Sequence, residues 1–501
     1  MKNESLWTKE IKRKRAKTLK EDIETDILII GGGITGISIA YHLKDSGLKI
    51  TLIDASRIGS KTTANTTGKL TYLQDKIYTT LDKTLSKETT DLYLKSQIDA
   101  IEIVKNIIIT NQLKCNFESN SSYLFTNNPL EIKNIKKTKE ILERNNIKVQ
   151  EKEILPITFP CSYSIKVDNT IVFHPLKYVL SLKEICEEKG IKIFENTTAM
   201  DYIKKEDYYI IKTKKNKIKA KKVILACHYP HFQLPYLFST KTYLEKSFLT
   251  AGKVEKNKKF NAITEDKKIH SIRYYSNKEN YLIYVSESKK ISSNMNNREK
   301  YNHLLWRMKT NFTNKITNYW FNYDIMTLDS LPLIGYLEEN NKNLLIATGY
   351  NTWGMTNGSL AGKVISDIIL EKENPYIKLF DPLRKMNIYQ IYNLVNYNFK
   401  NGKSFFLSKT MNNYSFYPKN VKVVEKENTK YGIYIDEEKK EHIVYNTCPH
   451  MKCDLIFNDI DKTWDCPCHG SRFDINGNVV KGPSIYSIKV DKNKNPFYNS
   501  K

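Results

Sequence analysis

The run Asp26-Ile27-Leu28-Ile29-Ile30 ends in Gly31-Gly32-Gly33 and leads into a helical pattern from Ile34 to Ser46, closed by Gly47. A short apolar run stopped by glycines reads as a strand buried on both faces of a parallel sheet. Lys49 to Asp54 reads as the next strand, so one strand–helix–strand unit is predicted here. Within it, Gly31-x-Gly33-x-x-Gly36 has the spacing and context of a dinucleotide fingerprint. Gly31 permits the tight turn, Gly33 lets the backbone approach a pyrophosphate, and Gly36 lets the helix pack on the strand. A diphosphate then meets the amides of Ile34, Thr35 and Gly36 at the positive helix end. Asp54, 23 residues after Gly31, closes the second strand where a carboxylate accepts ribose hydroxyls. The alternative is a glycine turn without a ligand.

At 501 residues the chain is long enough for two or three domains, and 40% hydrophobic content supplies a sizeable core. The net charge of +25 is spread along the chain, with about +6 in residues 1–20 and about +2 in 413–501. A diffuse excess argues against a dedicated nucleic-acid module. No apolar run approaches the ~18 residues needed to cross a bilayer. Met1 to Lys20 lacks the apolar segment of a secretory signal. The expected location is the cytoplasm.

Further along, Leu94, Ile98, Ile101, Val104 and Ile108 recur at helical spacing. Leu176 to Glu188 reads as a helix and Ile191–Phe194 as a strand. Val223–Ala226 is another short strand after a basic hairpin-like stretch. Residues 243–285 look antiparallel, Leu344–Ala347 reads as a buried strand and Met355–Leu370 as a helix. From Val421 short alternating strands take over, including Tyr431–Ile435 and His442–Tyr445.

Four of the eight cysteines, Cys448, Cys453, Cys466 and Cys468, fall within 21 residues, beside His450 and His469. Cys448-Pro449-His450 and Cys466-Pro467-Cys468-His469 present two sulfurs and two imidazoles from two loops. Such a set suits a metal, and a structural zinc is the plain reading.

Both halves of the chain resemble known families. Arg57-Ile58-Gly59-Ser60-Lys61-Thr62-Thr63-Ala64-Asn65-Thr66-Thr67-Gly68 resembles the loop after the second strand in D-amino-acid oxidase and glycine oxidase-like flavoproteins. Pro332-Leu333-Ile334-Gly335 and Ala347-Thr348-Gly349-Tyr350-Asn351-Thr352-Trp353-Gly354-Met355 resemble that family's C-terminal FAD motif. The resemblance implies FAD held from both ends of residues 24–384. Its implied contacts are Thr62, Thr63, Asn65, Thr66 and Thr67, then Gly349, Tyr350, Trp353, Gly354, Met355 and Thr356. An antiparallel sheet would roof the flavin. Residues Gly349 to Thr356 precede a helix, so their amides suit the negative charge that gathers on a reduced flavin. A ligand-free strand-to-helix turn is the alternative. No second GxGxxG is present for a paired nicotinamide domain.

The cysteine–histidine pattern resembles the Rieske family over about 413–501. That family holds a [2Fe–2S] cluster with two cysteines on one iron and two histidines on the other. Carried over, Cys448 and Cys466 bind one iron, and His450 and His469 the other. Cys453 and Cys468 match a pair that forms a disulfide in one Rieske subgroup. Lys452 stands where glycine is usual, and Gly482-Pro483 resembles the loop shielding the cluster. Ser471 matches a serine that donates to a cluster sulfur, while Phe473 replaces a donating tyrosine, which implies a lower potential.

The expected fold is an α/β FAD-binding Rossmann-like domain with an interleaved antiparallel-sheet substrate domain (about 75–150 and 240–320), plus a small all-β Rieske domain. Residues 1–23 form a basic segment and 385–412 a connector. Arg273 is a candidate clamp for a substrate carboxylate, or else a solvated strand arginine. His174, His228 and Cys186 read as structural, and Trp353 lines the flavin or merely packs. The expected function is oxidation of a small amine or amino acid as electron donor. Electrons would leave through FAD and the cluster to an unidentified one-electron acceptor. A reductase running in reverse and a redox sensor are the alternatives.

Overall fold

The computed structural model describes residues 3–152, 155–229, 241–290, 297–385, 391 and 417–491. Nearly all of the expected connector falls outside them. The chain divides into two compact units. One comprises Met1–His228, Lys246–Ser288 and His303–Tyr389; the other Tyr229–Glu245, Lys289–Asn302 and Gln390–Lys501.

The larger unit contains an eight-stranded sheet whose central path runs Leu333–Glu338, Asn341–Thr348, Lys217–Leu225, Ile23–Ile30, Ile50–Ile53, Lys192–Phe194. Ile23–Ile30 pairs in parallel with both Lys217–Leu225 and Ile50–Ile53. Leu28 and Ile29 are fully buried, as an uninterrupted apolar strand requires. The helix Ile34–Leu43 follows the glycine turn, and Pro175–Glu188 and Gly354–Ile369 match the other predicted helices closely. The basic hairpin is Tyr209–Lys212 against Lys217–Leu225.

A second, nine-stranded sheet has the path Ile316–Thr327, Thr242–Lys253, Asn280–Lys290, His270–Ser276, Phe260–Thr264, Glu118–Thr126, Tyr163–Val172, Lys69–Leu70. It draws strands from outside the expected 75–150 and 240–320, because the short Lys69–Leu70 strand and Tyr163–Val172 complete its edge. The N-terminal segment also differs from a separate basic stretch. Leu6 and Trp7 are fully buried in this unit, and Trp7 Nε1 donates to the Thr66 carbonyl at 2.7 Å. A count of charges overlooks two large apolar side chains that have to be covered.

The smaller unit carries a three-stranded sheet, Val421–Lys426, Thr429–Ile435 and Glu441–Tyr445, and a four-stranded one, Ile456–Asn458, Thr463–Asp465, Arg472–Asp474 and Val479–Lys481. Trp464 is fully buried at its centre and meets Phe457 edge-on, with ring centroids 5.0 Å apart. A Cβ at Gly432 would lie 2.5 Å from the Trp464 ring, so glycine is required there.

In the larger unit, Gly354–Ile369 packs on Ile34–Leu43 through small residues, since a Cβ at Gly362 would fall 2.5 Å from Ser38 Cβ and 2.7 Å from its carbonyl carbon. Gly362→Ala is expected to wedge the two helices apart at a cost of about 1–3 kcal/mol. Thermal unfolding of the variant should show the loss as a lower midpoint.

Candidate functional site

The glycine turn is closed by its own backbone. Gly31 has φ +114°, and a Cβ there would sit 2.6 Å from the Ala226 carbonyl oxygen. A Cβ on Gly36 would fall 1.8 Å from the Gly31 oxygen. Gly33 caps the following helix without a side chain, which leaves the helix start open to an anion. The Ile34 amide donates to Thr63 Oγ1 at 3.0 Å, fastening the Thr62–Asn65 turn to the helix. Asp54 accepts from the Gly32 amide at 2.7 Å and from the Ser56 amide at 2.6 Å. Burial raises its pKa, and these two bonds oppose the rise.

The second motif meets the first. Tyr350 shares a hydrogen bond with Thr35 Oγ1 at 3.0 Å. A Cβ at Gly358 would lie 2.8 Å from Ile34 Cγ2. Gly349 has φ +75°, and Gly354–Ile369 begins after Trp353 with no side-chain cap. Met355 and Trp353 are buried. The hydroxyls of Thr62 and Thr356 are buried without a hydrogen-bond partner among the described residues. Those orphaned hydroxyls, with the uncapped helix starts, fit FAD.

The loop 65–67 is held from outside by groups that sequence reasoning missed or read otherwise. Its carbonyls accept from Trp320 Nε1 at Asn65 (3.0 Å), from Trp7 at Thr66, and from Arg273 at Thr67. Arg273 is fully buried rather than solvated; its second terminal nitrogen donates to the Phe173 carbonyl at 2.8 Å, and its guanidinium lies 4.9 Å from the Trp7 ring centroid. Its terminal nitrogens are thus bonded to the chain itself, and Gly68 is left without a Cβ because one would meet Arg273 at 2.3 Å. Burial also marks Glu265, whose carboxyl has no partner among the described residues and is pushed up to about 8. No local motif announces it. His174 is buried and caps the Pro175–Glu188 helix through Nδ1, and His228 Nε2 meets the Tyr323 carbonyl at 2.7 Å. Cys186 is core.

In the smaller unit, Cys448 and Cys466 are buried, and the His450 and His469 rings lie 5.0 Å apart nearly at right angles. The Nδ1 atoms of both histidines are buried with no partner among the described residues. Burial holds His450 below its ordinary pKa and, with His450 beside it, pushes His469 down to about 4. Neutral imidazoles with unused Nδ1 lone pairs beside two thiols fit a two-cysteine, two-histidine cluster. A hydrogen bond between the thiols pulls Cys448 down and pushes Cys466 up.

The loops are built for this. The Cys448 amide donates to the Cys453 carbonyl at 2.9 Å, and the Cys466 amide to the Ser471 carbonyl at 2.7 Å. Cys453 and Cys468 form a disulfide joining the two loops. Lys452 has φ +58°, so it occupies the left-handed conformation that glycine would supply more easily. Ser471 is buried, and its hydroxyl both lowers the Cys448 pKa and accepts from the Ser484 amide at 2.9 Å. Phe473 is fully buried in the hydrophobic core that includes Cys448 and Cys466. The Tyr229 ring lies 5.5 Å from His469 and 6.3 Å from His450.

Among the described residues, no helix is long and apolar enough to cross a membrane. Residues 26–368 match the FAD dependent oxidoreductase family (DAO), and 407–491 match the Rieske [2Fe-2S] domain. The chain is 31% identical, over 97% of both chains, to the putative Rieske 2Fe-2S iron-sulfur protein YhfW of Bacillus subtilis (strain 168). It is 24% identical over 217 residues to gamma-glutamylputrescine oxidoreductase of Escherichia coli (strain K12), covering 42% of this chain and 50% of that one. Among solved structures, glycine oxidase from Geobacillus kaustophilus superposes with TM-score 0.60 at 14% identity, over 73% of this chain and 100% of that one. L-proline dehydrogenase from P. horikoshii gives 0.58 at 18%, over 72% and 98%. The cofactors are accordingly FAD and a [2Fe–2S] cluster, and the chain belongs to the DAO-type FAD-dependent oxidoreductases, extended by a C-terminal Rieske domain.

Proposed function

We propose that this oxidoreductase removes electrons from a small amine or amino acid and delivers them singly to an external acceptor. The observation that carries this reading is the presence of a dinucleotide-type site and a two-cysteine, two-histidine site in one chain. When bound, FAD supplies two-electron hydride chemistry and the [2Fe–2S] cluster supplies one-electron transfer. The named relatives support the substrate class: one acts on gamma-glutamylputrescine and a structural neighbour on L-proline.

The chain's own residues have distinct tasks in this reading. Gly31, Gly33 and the amides of Thr35 and Gly36 would receive the pyrophosphate, next to the Ile34 amide that Thr63 Oγ1 engages, and Asp54 the ribose. The hydroxyls of Thr62 and Thr356 would bind the cofactor, and the uncapped Gly349–Thr356 turn would offer amides to a reduced flavin's negative charge. Asn65, Thr66 and Thr67 shape the adjoining wall, kept in place by Trp320, Trp7 and Arg273. Cys448, Cys466, His450 and His469 hold the cluster. Ser471 donates to the Cys448 sulfur, and Phe473 contributes packing but no donor.

Anaerobic addition of amines and amino acids tests the reading. A substrate is expected to bleach the flavin and then raise the EPR signal of a reduced cluster. Bleaching without that signal would refute the electron exit, and a panel that bleaches nothing would favour the sensor. Reduction of the flavin before the cluster during dithionite titration, which puts the flavin at the higher potential, would favour the reverse direction.

Phe473→Tyr tests the tuning. One added donor, at about 0.5–1.5 kcal/mol and roughly 59 mV per 1.4 kcal/mol for one electron, should raise the cluster potential by about 20–60 mV. An unchanged redox titration would remove Phe473 from the account.

A further inference from the structure

Glu265 stands at the end of a row of side chains that faces the cofactor loop. Its amide donates to the Phe125 carbonyl at 2.9 Å, which carries the strand Phe260–Thr264 one residue further beside Glu118–Thr126. Alternation puts Asn261, Ile263 and Glu265 on one face of the sheet. Register sets Asn261 opposite Arg273 and Ile263 opposite Ser271. Arg273 donates to the Thr67 carbonyl and Lys69 to Ser271 Oγ, so this face looks onto the end of the 57–68 loop. Asp75 is the charged group that acts most strongly on Glu265, and the N–H of Trp353, in the Gly349–Thr356 turn, acts on the same Asp75 carboxyl. The two acids therefore stand between the sheet and that turn.

Glu265 is fully buried, and neither of its carboxyl oxygens has a hydrogen-bond partner or a cation within ion-pair distance among the described residues. Its charged neighbours are mostly of the wrong sign. Asp75, Glu131 and Asp266 oppose its ionisation and Lys76 favours it, yet Lys76 lies 3.3 Å from Glu131. Lys76 and Lys69 both favour the ionised form of Asp75. Asp266 is satisfied locally by the Thr126 hydroxyl and the Asn127 amide. Protonation, toward which burial pushes Glu265, would remove its charge but leave an O–H and a C=O unbonded. Buried polar groups persist in that state where something else completes them, and a cation is what completes a carboxyl set among carboxyls. A metal ion suits the place poorly, because among the described residues no three of these carboxyls bring oxygens within 4.8 Å of one another. An ammonium is content with fewer acceptors, since it has three N–H donors to place.

We propose that Glu265 and Asp75 form a subsite for an ammonium that the substrate carries away from its reacting carbon. The substrate is then a diamine or an amino acid with a basic side chain. This rests on the oxidation of an amine or amino acid argued above. The nitrogen on the carbon that gives up a hydride has to be uncharged, since its lone pair forms the C=N bond that results. A pair of carboxyls favours the charged form of an amine, so it suits the nitrogen that does not react.

The test is anaerobic calorimetry on the dithionite-reduced holoenzyme, in which no bound amine can be oxidised. The expected result is that 1,4-diaminobutane binds at least tenfold more tightly than butylamine, or free lysine than norleucine. Glu265→Gln, an isosteric change, should abolish the preference at unchanged FAD content, and Glu265→Asp should keep part of it. Asp75→Asn should weaken it severalfold, which carries the test should Glu265→Gln fail to fold. Equal binding within both pairs, no binding of any of the four, or a preference that survives Glu265→Gln overturns the subsite. The two readings also separate. On the oxidised enzyme, butylamine and norleucine reducing the flavin at the same concentrations as their basic counterparts removes the second ammonium but leaves oxidation standing. Glu265-dependent binding of the diamine or of lysine, with no amine or amino acid able to reduce the flavin, has the opposite meaning: the subsite stands and the oxidation reading fails.

Discussion

The larger unit is organised around backbone approaching backbone. Gly31 lies against Ala226, Gly36 against Gly31, and Gly362 against Ser38. Each approach is closer than any side chain allows, so the strand Ile23–Ile30, the helix Ile34–Leu43 and the helix Gly354–Ile369 meet with nothing between them. That closeness brings two distant stretches of sequence, 31–36 and 349–358, to one place, sealed by the Thr35–Tyr350 bond. A site built from both ends of a domain has to be assembled before it can bind, and glycine is what lets the ends touch.

How much of this was legible follows from the range of each constraint. The turn at Gly31, the acid at Asp54 and the two cysteine–histidine pairs are local patterns whose chemistry dictates their spacing, so they stand out in the sequence directly. The left-handed Lys452 was legible as a departure from glycine, and its φ of +58° shows that the loop keeps the glycine conformation despite the side chain. Trp7 was not legible, because nothing in a charged segment says which distant carbonyl an indole will reach. The role of Arg273, read from sequence as a carboxylate clamp or a solvated strand arginine, was not legible for the same reason: the partners of its terminal nitrogens, Thr67 and Phe173, lie 206 and 100 residues away in sequence. The meeting of Ser122 with Asn261 and Thr170 depends on sheet order, which alternation of single strands does not encode.

The smaller unit solves a different problem. Its sheets are short and its core small, so the two ligand loops need fixing by more than packing. The disulfide between Cys453 and Cys468, the Cys448–Cys453 and Cys466–Ser471 main-chain bonds and the buried Trp464 supply that fixing. With the loops set, the imidazoles need no other partner for Nδ1, and burial keeps them neutral. A ligand set prepared in this way loses little freedom when it closes on iron.

Two buried cations on one sheet are accommodated in different ways. Arg273 is satisfied from within: two carbonyls accept its terminal nitrogens and an indole covers its face, so removing it would loosen Asn65–Gly68. Lys69 donates to the Ser271 hydroxyl, and burial together with Arg273 pulls its pKa down to about 7 while Asp75 opposes the fall. The contrast makes the arginine a brace for the loop, whereas the lysine is held at the electrostatic cost that burial imposes on a charge.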